Sequence, residues 1–282
     1  RVLAVARDAE TALVPGMQVV DRGEIGGPPL TGPSIRSALE RLVSRTPSAA
    51  PELLETGIKV IDVLLPIVNG GVVCILGGER VGTTVIVEEL VRRLATTEVS
   101  LFTFVPWADH AGMRQTREEG YTLGMGGVKT FFFVGDGAPT RDAFDTVIVM
   151  SPRVAAMKIW PAIDPLASAS RWLVPELVGA EHVTVAKRVR QCLEEAEALE
   201  GRADLDETAR LTLARARKLR RFFAQPFFVA EPYTKRPGAF VPRAEAVAAC
   251  AAIVDGVYDD IPEEAFYFTG GIDEVLARVG RG

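Results

Sequence analysis

From Val72 to Leu94 the chain reads as strand, glycine loop and helix in immediate succession, and no other stretch limits its possible folds as much. Val72-Val73-Cys74-Ile75-Leu76 is a short apolar run rich in β-branched residues, the pattern of a buried strand. Gly77-Gly78-Glu79-Arg80-Val81-Gly82-Thr83-Thr84 follows it. Beyond the loop, Val85, Glu88, Glu89, Arg92 and Arg93 alternate with Val87, Leu90, Val91 and Leu94, which predicts an amphipathic helix. A strand that turns through glycines into a helix aims backbone N–H groups and the positive helix end at a phosphate. The spacing follows G-x-x-x-x-G-K-[ST] at every position but one, where Thr83 replaces the lysine.

Composition bounds what can surround this stretch. With 282 residues, 48% of them hydrophobic, the chain can bury one large core or two smaller ones. A net charge of -5 gives no electrostatic footprint for nucleic acid. Cys74, Cys192 and Cys250 stand far apart without zinc or redox spacing, which points to a reducing compartment. His110 and His182 are too few for a histidine-built metal centre. No apolar run approaches the roughly 18 residues needed to span a bilayer, and RVLAVARDAE carries no signal-peptide core. The expectation is a soluble protein, free to dock onto a membrane complex. Arg1 is expected to mark a processed, trimmed or incompletely represented start.

Strand-like runs at Val2–Ala6 and Gln18–Val20 and a helix over Ile35–Val43, capped by Ser34, are expected before a Ser/Pro/Ala linker at Ser44–Pro51. Further apolar runs at Leu101–Val105, Thr130–Val134 and Thr146–Met150 read as central parallel strands, with a polar helix inside Gly112–Gly126. A helix over Ser151–Lys158 leads to Ile159-Trp160-Pro161-Ala162-Ile163-Asp164-Pro165, which two prolines hold extended. Strands alternating with helices predict a doubly wound α/β sheet. Past Val174 the texture turns helical: Glu181–Glu200, Asp206–Phe223, Arg243–Val254 and Ile272–Val279 carry helical periodicity.

LLETGIKVIDVLLPIVNGG, IWPAIDPLASASRWLVPELVGAEHVTVAKRV, LTLARARKLRRFFAQPFFVAEPYTKRPGAFVP and YDDIPEEAFYFTGGIDEVLARV occur in this order and cover, with the glycine loop, about two thirds of the chain. These blocks resemble the catalytic β subunit of the F-type ATP synthase; Asp164-Pro165-Leu166 and Gln225-Pro226-Phe227 favour β over the related α subunit. The resemblance implies a RecA-like P-loop core over 51–173, a C-terminal helical domain over 174–282 and, before them, a shortened β-barrel-like region over 1–50. It implies a place in a hexameric ring with α-like and β-like subunits around a central stalk. The complex would be peripheral to an energy-transducing membrane, on its soluble side (bacterial cytoplasm, mitochondrial matrix or plastid stroma).

The resemblance also assigns a site. Gly77, Gly78, Arg80, Val81, Gly82, Thr83, Thr84 and Val85 would form the phosphate loop, with the Thr84 hydroxyl on Mg²⁺. Thr83 carries no charge for the β/γ oxygens. Arg80 stands either as a substitute cation or where the family uses a small residue for close backbone approach, and Glu79 would repel phosphate. The family's Gly-Glu-Arg-Thr-Arg-Glu run reads here Gly112-Met113-Arg114-Gln115-Thr116-Arg117-Glu118, with one residue inserted. Met113 thus occupies the place of the water-polarising glutamate, and a thioether accepts no proton. Arg114 and Arg117 face an anion or simply solvent. The segment bearing the Walker B carboxylate is absent, with Asp136 either a substitute or a turn aspartate. Trp160 would stack on adenine against Ala224 and Phe227, with Phe222 a weaker candidate, or else belong to the core. Asp204-Leu205-Asp206-Glu207-Thr208-Ala209 falls where the family has a stalk-facing acidic loop.

The expected function is therefore structural: a non-catalytic ring subunit, a pseudoenzyme that binds ATP or ADP with Mg²⁺ weakly or not at all. The rivals are an active ATPase subunit whose missing parts are not represented in the sequence, and a nucleotide-sensing regulator outside any rotary complex. Two further expectations follow. Loss of the Walker B strand would leave strand edges unpaired unless neighbours close the gap or residues between Gly135 and Thr146 are omitted, which Cα spacing would reveal. Phe222, Phe223, Phe227 and Phe228 would supply apolar surface for neighbouring subunits.

Overall fold

The computed structural model describes residues 51–78, 80–94, 144–280 and, as backbone strands, 100–107, 121–123 and 128–135. Helix and sheet are mixed. A two-stranded antiparallel sheet pairs β1 (Leu53–Leu54) with β2 (Ile67–Val68). The larger sheet has the order β5-β4-β6-β3-β7-β8, built from β3 (Val72–Leu76), β4 (Ser100–Trp107), β5 (Tyr121–Leu123), β6 (Val128–Gly135), β7 (Thr146–Val149) and β8 (Ala169–Ser170). Its four central strands run parallel, and β5 and β8 close the ends antiparallel.

β3 is paired on both sides. Val72–Leu76 lies against Phe131–Gly135 of β6 and, from Val73, against Thr146–Val149 of β7. The unpaired edge expected beside this strand is not there, because β6 and β7 have closed on it. Asp145 fixes the register at the strand's start. Its N–H donates to Val72 O at 2.8 Å and its Oδ2 accepts from Val72 N at 2.8 Å. The Cα steps from Gly135 to Thr146 lie largely outside the described residues, as does all of 1–50. The polar helix expected inside Gly112–Gly126 is corrected in its one described part: Tyr121–Leu123 is a strand on the edge of β4. An aromatic and a β-branched residue in succession favour a pleated edge once a partner strand is available.

The glycine loop leads into α2 (Thr83–Leu94), while α1 (Lys59–Leu64) precedes the sheet and is buried along its whole length. Burial of Val60, Ile61, Val63 and Leu64 contributes on the order of 6–12 kcal/mol before the entropy of ordering is subtracted. After β7 come α3 (Pro152–Ala156), α4 (Pro175–Val178), α5 (Ala180–Leu199), α6 (Glu207–Phe223), α7 (Glu231–Thr234), α8 (Arg243–Asp255) and α9 (Ile272–Arg278), with 3-10 turns at Phe228–Ala230 and Glu263–Phe266. Asp206 caps α6 by accepting from Ala209 N at 2.7 Å, so the acidic stretch is loop as far as Asp206 and helix from Glu207. Gly256, at φ 83°, ends α8 in the left-handed conformation that glycine adopts without penalty.

One continuous apolar cluster joins the halves: Ile58, Ile61 and Leu64 share it with Ile75, Leu193, Leu219, Phe222 and Phe266. Phe222, Phe223 and Phe227 are buried within it, and Phe228 is half-buried. The expectation that these rings supply docking surface is corrected. The chain uses them for its own core, because α6 and the segment after it fold back onto α1 and α2.

Candidate functional site

The loop between β3 and α2 is shaped by two glycines. A Cβ on Gly77 would stand 2.6 Å from Thr83 Oγ1 and 2.7 Å from the Met150 Cβ, so only glycine fits. Gly82 has φ 83°, and a Cβ there would meet the Trp160 ring at 3.1 Å. Gly78 is exposed in open space. Val81 turns inward and is buried, and Ile86 N–H donates to Gly82 O at 3.0 Å to begin the helix.

Thr83 turns its hydroxyl beneath the loop toward Gly77. The oxygen is buried, and among the described residues it has no hydrogen-bond partner. Leaving such a group unpaired costs about 1–3 kcal/mol. Thr84 and Val85 are exposed on the first turn of α2. Arg80 is exposed and holds φ 64°. A side chain in that conformation costs about 1–2 kcal/mol, which glycine would avoid. Of the two roles left open for Arg80, the backbone favours the reading that it occupies a position suited to glycine.

Trp160 is 37% exposed and lies against Gly82. Its carbonyl accepts from Gln225 N at 2.8 Å, which brings the segment holding Ala224 and Phe227 alongside. Ala224 and Phe227 are themselves buried, Phe227 beneath the Arg93 guanidinium with 5.6 Å between charge and ring centroid. Phe222 is core: the Lys59 ammonium nitrogen sits 4.0 Å over its ring. Glu79, Met113, Arg114, Arg117 and Asp136 lie outside the described residues. The structure thus brings together Gly77, Val81, Gly82, Thr83 and Trp160, and sets Phe222 apart.

Behind the loop stands a set of buried polar groups that the sequence pattern concealed. Glu89 and Arg93, expected on a polar helix face with Val85, point inward while Val85 is 42% exposed. They pair at 2.6 Å. Glu89 accepts from Phe228 N at 3.0 Å and Val229 N at 2.9 Å; Arg93 donates to Thr56 O at 3.1 Å and Ala239 O at 2.7 Å. Gln225 donates to Gly57 O and Ala239 O and accepts from Lys59 N. These bonds explain the inward turn, since the segment over α2 has backbone groups with no helix or strand to satisfy them.

Lys59 is fully buried, its Nζ donating to Thr269 O at 2.7 Å and Gly270 O at 2.8 Å. Desolvation lowers its pKa to about 7. Asp62 accepts from Thr56 N, Thr56 Oγ1 and Gly57 N, yet burial pushes its carboxyl up to about 7. The pattern concealed these two as well: Lys59 and Asp62 stand three apart, the spacing of one solvated helix face. The three thiols are buried, and desolvation raises Cys74 and Cys250 to about 12 and Cys192 to about 11.

Among the described residues no helix is long and apolar enough to cross a membrane, and no group of three or more His, Cys, Asp and Glu is placed to hold a metal ion. No protein-family model matches the chain.

Proposed function

We propose that the chain is a non-catalytic relative of the F-type ATP synthase β subunit, an architectural member of a ring of α-like and β-like subunits around a central stalk. The parallel strands on either side of β3, with the glycine loop at its C-terminal end, support a RecA-like nucleotide core; the helices from α4 onward support the C-terminal helical domain. The observation that carries the non-catalytic reading is the loop. Its lysine position holds a threonine whose hydroxyl is turned under the backbone, and its one described cation, Arg80, sits exposed on a strained residue. For Mg²⁺ the described residues offer the exposed Thr84 hydroxyl. Phosphoryl transfer depends on lysine, metal carboxylate and water-polarising base acting together, so their replacement removes turnover as a unit.

Trp160 against Gly82 favours a second reading, a nucleotide sensor that binds adenine by stacking and does not hydrolyse. Phosphate release with Mg²⁺ATP, with and without co-purified partners, tests the first reading; the expected result is background. Turnover that disappears in Arg80→Ala would overturn it. Titration with ADP while following tryptophan emission tests the second. Saturation that Thr83→Lys tightens, without co-purifying subunits, would favour the sensor.

A further inference from the structure

We propose that His182 is an acid-released latch, which holds α4 and the first turn of α5 on α1 at neutral pH and frees them when its imidazole takes up a proton. Little else fastens this stretch. α4 buries none of its four residues. Gly179, at φ 90°, joins it to α5 and leaves that helix without a side-chain cap. The backbone bonds here stay local: Leu177 N and Val178 N donate to Val174 O, Gly179 N to Pro175 O and Val183 N to Gly179 O. Among the described residues, one hydrogen bond leads from 175–183 to a distant part of the chain. It runs from His182 Nε2 to Val63 O of α1, at 2.8 Å.

A carbonyl only accepts, so Nε2 carries the proton of the neutral ring and a second proton must go to Nδ1. The surroundings oppose that charge. His182 is 6% exposed, and desolvation is the first cause that lowers its pKa from the ordinary 6.5. Arg243 of α8 lowers it further, while the Val63 carbonyl works the other way. The ring also stands on the first turn of α5, at the positive end of the helix dipole. No counter-charge is at hand among the described residues. Glu176 of α4, Glu181 of α5 and Glu245 of α8 are exposed. On α1, Lys59 is engaged by Thr269 and Gly270, and Asp62 by Thr56 and Gly57. Glu55 accepts from Arg243 N. α6 meets α5 further along, where Cys192 faces Thr212 O. Once released into water, the ring titrates near its ordinary value. Below about pH 6.5 the freed form therefore binds more protons than the latched one, and the equilibrium moves toward it as pH falls.

The test is hydrogen exchange of the full chain, read by mass spectrometry at pH 7, 6 and 5 and corrected at each pH for the intrinsic rate. The peptide over 175–187 should lose protection by up to about tenfold per unit below pH 6.5, while peptides from α6 stay better protected throughout. His182→Gln keeps a donor for Val63 O without a titrating ring, and should be as protected at pH 5 as at pH 7. Arg243→Met leaves His182 and its bond in place, which keeps the test open if the glutamine variant fails to fold. It removes the like charge, so the latched ring accepts its proton more readily and the loss on acidification should shrink. Protection of 175–187 that stays flat from pH 7 to 5 would overturn the proposal. So would a loss that survives His182→Gln, an equal or greater loss in Arg243→Met, or exchange of α6 in step with 175–187.

Discussion

Replacing Lys59 with methionine should remove a rise of stability with pH that the unaltered protein shows above about pH 7. The ammonium is fully buried and donates to the carbonyls of Thr269 and Gly270. Desolvation is the first cause of its lowered pKa; Cys250 and Glu274 oppose the shift and Arg278 adds to it. In the unfolded chain the group titrates near 10.5 and in the folded chain near about 7. Below about pH 7 both states hold the proton. Between about 7 and 10.5 the unfolded state binds one proton more, so the stability of the unaltered protein rises with pH at about 1.4 kcal/mol per unit. Across the window this amounts to about 5 kcal/mol. The methionine variant has no such slope. Near pH 6 its two orphaned carbonyls cost about 1–3 kcal/mol each, offset by relief from burying an ammonium. The difference between the two proteins should therefore widen steadily from pH 7 to pH 10. Urea unfolding followed by circular dichroism at unit pH steps measures it; titrations that do not touch Lys59 cancel in the difference, and burial, which raises Cys250 to about 12, keeps that thiol protonated in the folded chain over this range. A gap that stays flat to within about 0.5 kcal/mol over that range, set against the slope expected from linkage, would refute the assignment of a neutral amine.

Glu89→Gln should destabilise the fold by about 3–5 kcal/mol in urea, because it strands the buried Arg93 charge; adding Arg93→Met should recover part of that loss. Arg80→Gly should raise stability by up to about 1 kcal/mol and Arg80→Val lower it by about 1–2 kcal/mol, since φ 64° suits glycine and penalises a β-branched residue. The thiols should be silent to a disulfide reagent at pH 8 in the folded chain, and all three should react in urea, because burial holds them protonated. Fast labelling of any of them without unfolding would contradict their burial.

Elements whose periodicity is local were legible in the sequence. The strand at Val72–Leu76 and the helices now seen at Ala180–Leu199, Glu207–Phe223, Arg243–Asp255 and Ile272–Arg278 lie within a residue or two of the expected bounds. Elements decided by distant partners were not. In α1 the charges of Lys59 and Asp62 at i, i+3 read as a solvated face, yet all six residues are buried. β5 and β8 are short edge strands that exist through pairing with β4 and β7. At the loop, the residue types announced a missing charge, but not the inward turn of Thr83 or the positive φ of Arg80; Met150 and Trp160, which crowd Gly77 and Gly82, arrive from elsewhere in the chain. Glu89 and Arg93 misled for the same reason: charge at helical spacing reads as a solvated face, and only the segment from Phe228 to Ala239 makes it an interior one.

The bond from Lys59 to Thr269 spans 210 positions of sequence, and Gln225 reaches Gly57 across 168. At translation speeds of about 5–20 residues per second, the helix around Lys59 waits on the order of 10–40 s on the ribosome for the carbonyls that complete it. Val60, Ile61, Val63 and Leu64 gain their cover in stages as α5, α6 and α8 emerge, but the Lys59 amine keeps no acceptor until Thr269 and Gly270 are made. The segment made early is finished last. A truncation that stops short of Thr269 would leave a buried amine without its two carbonyls.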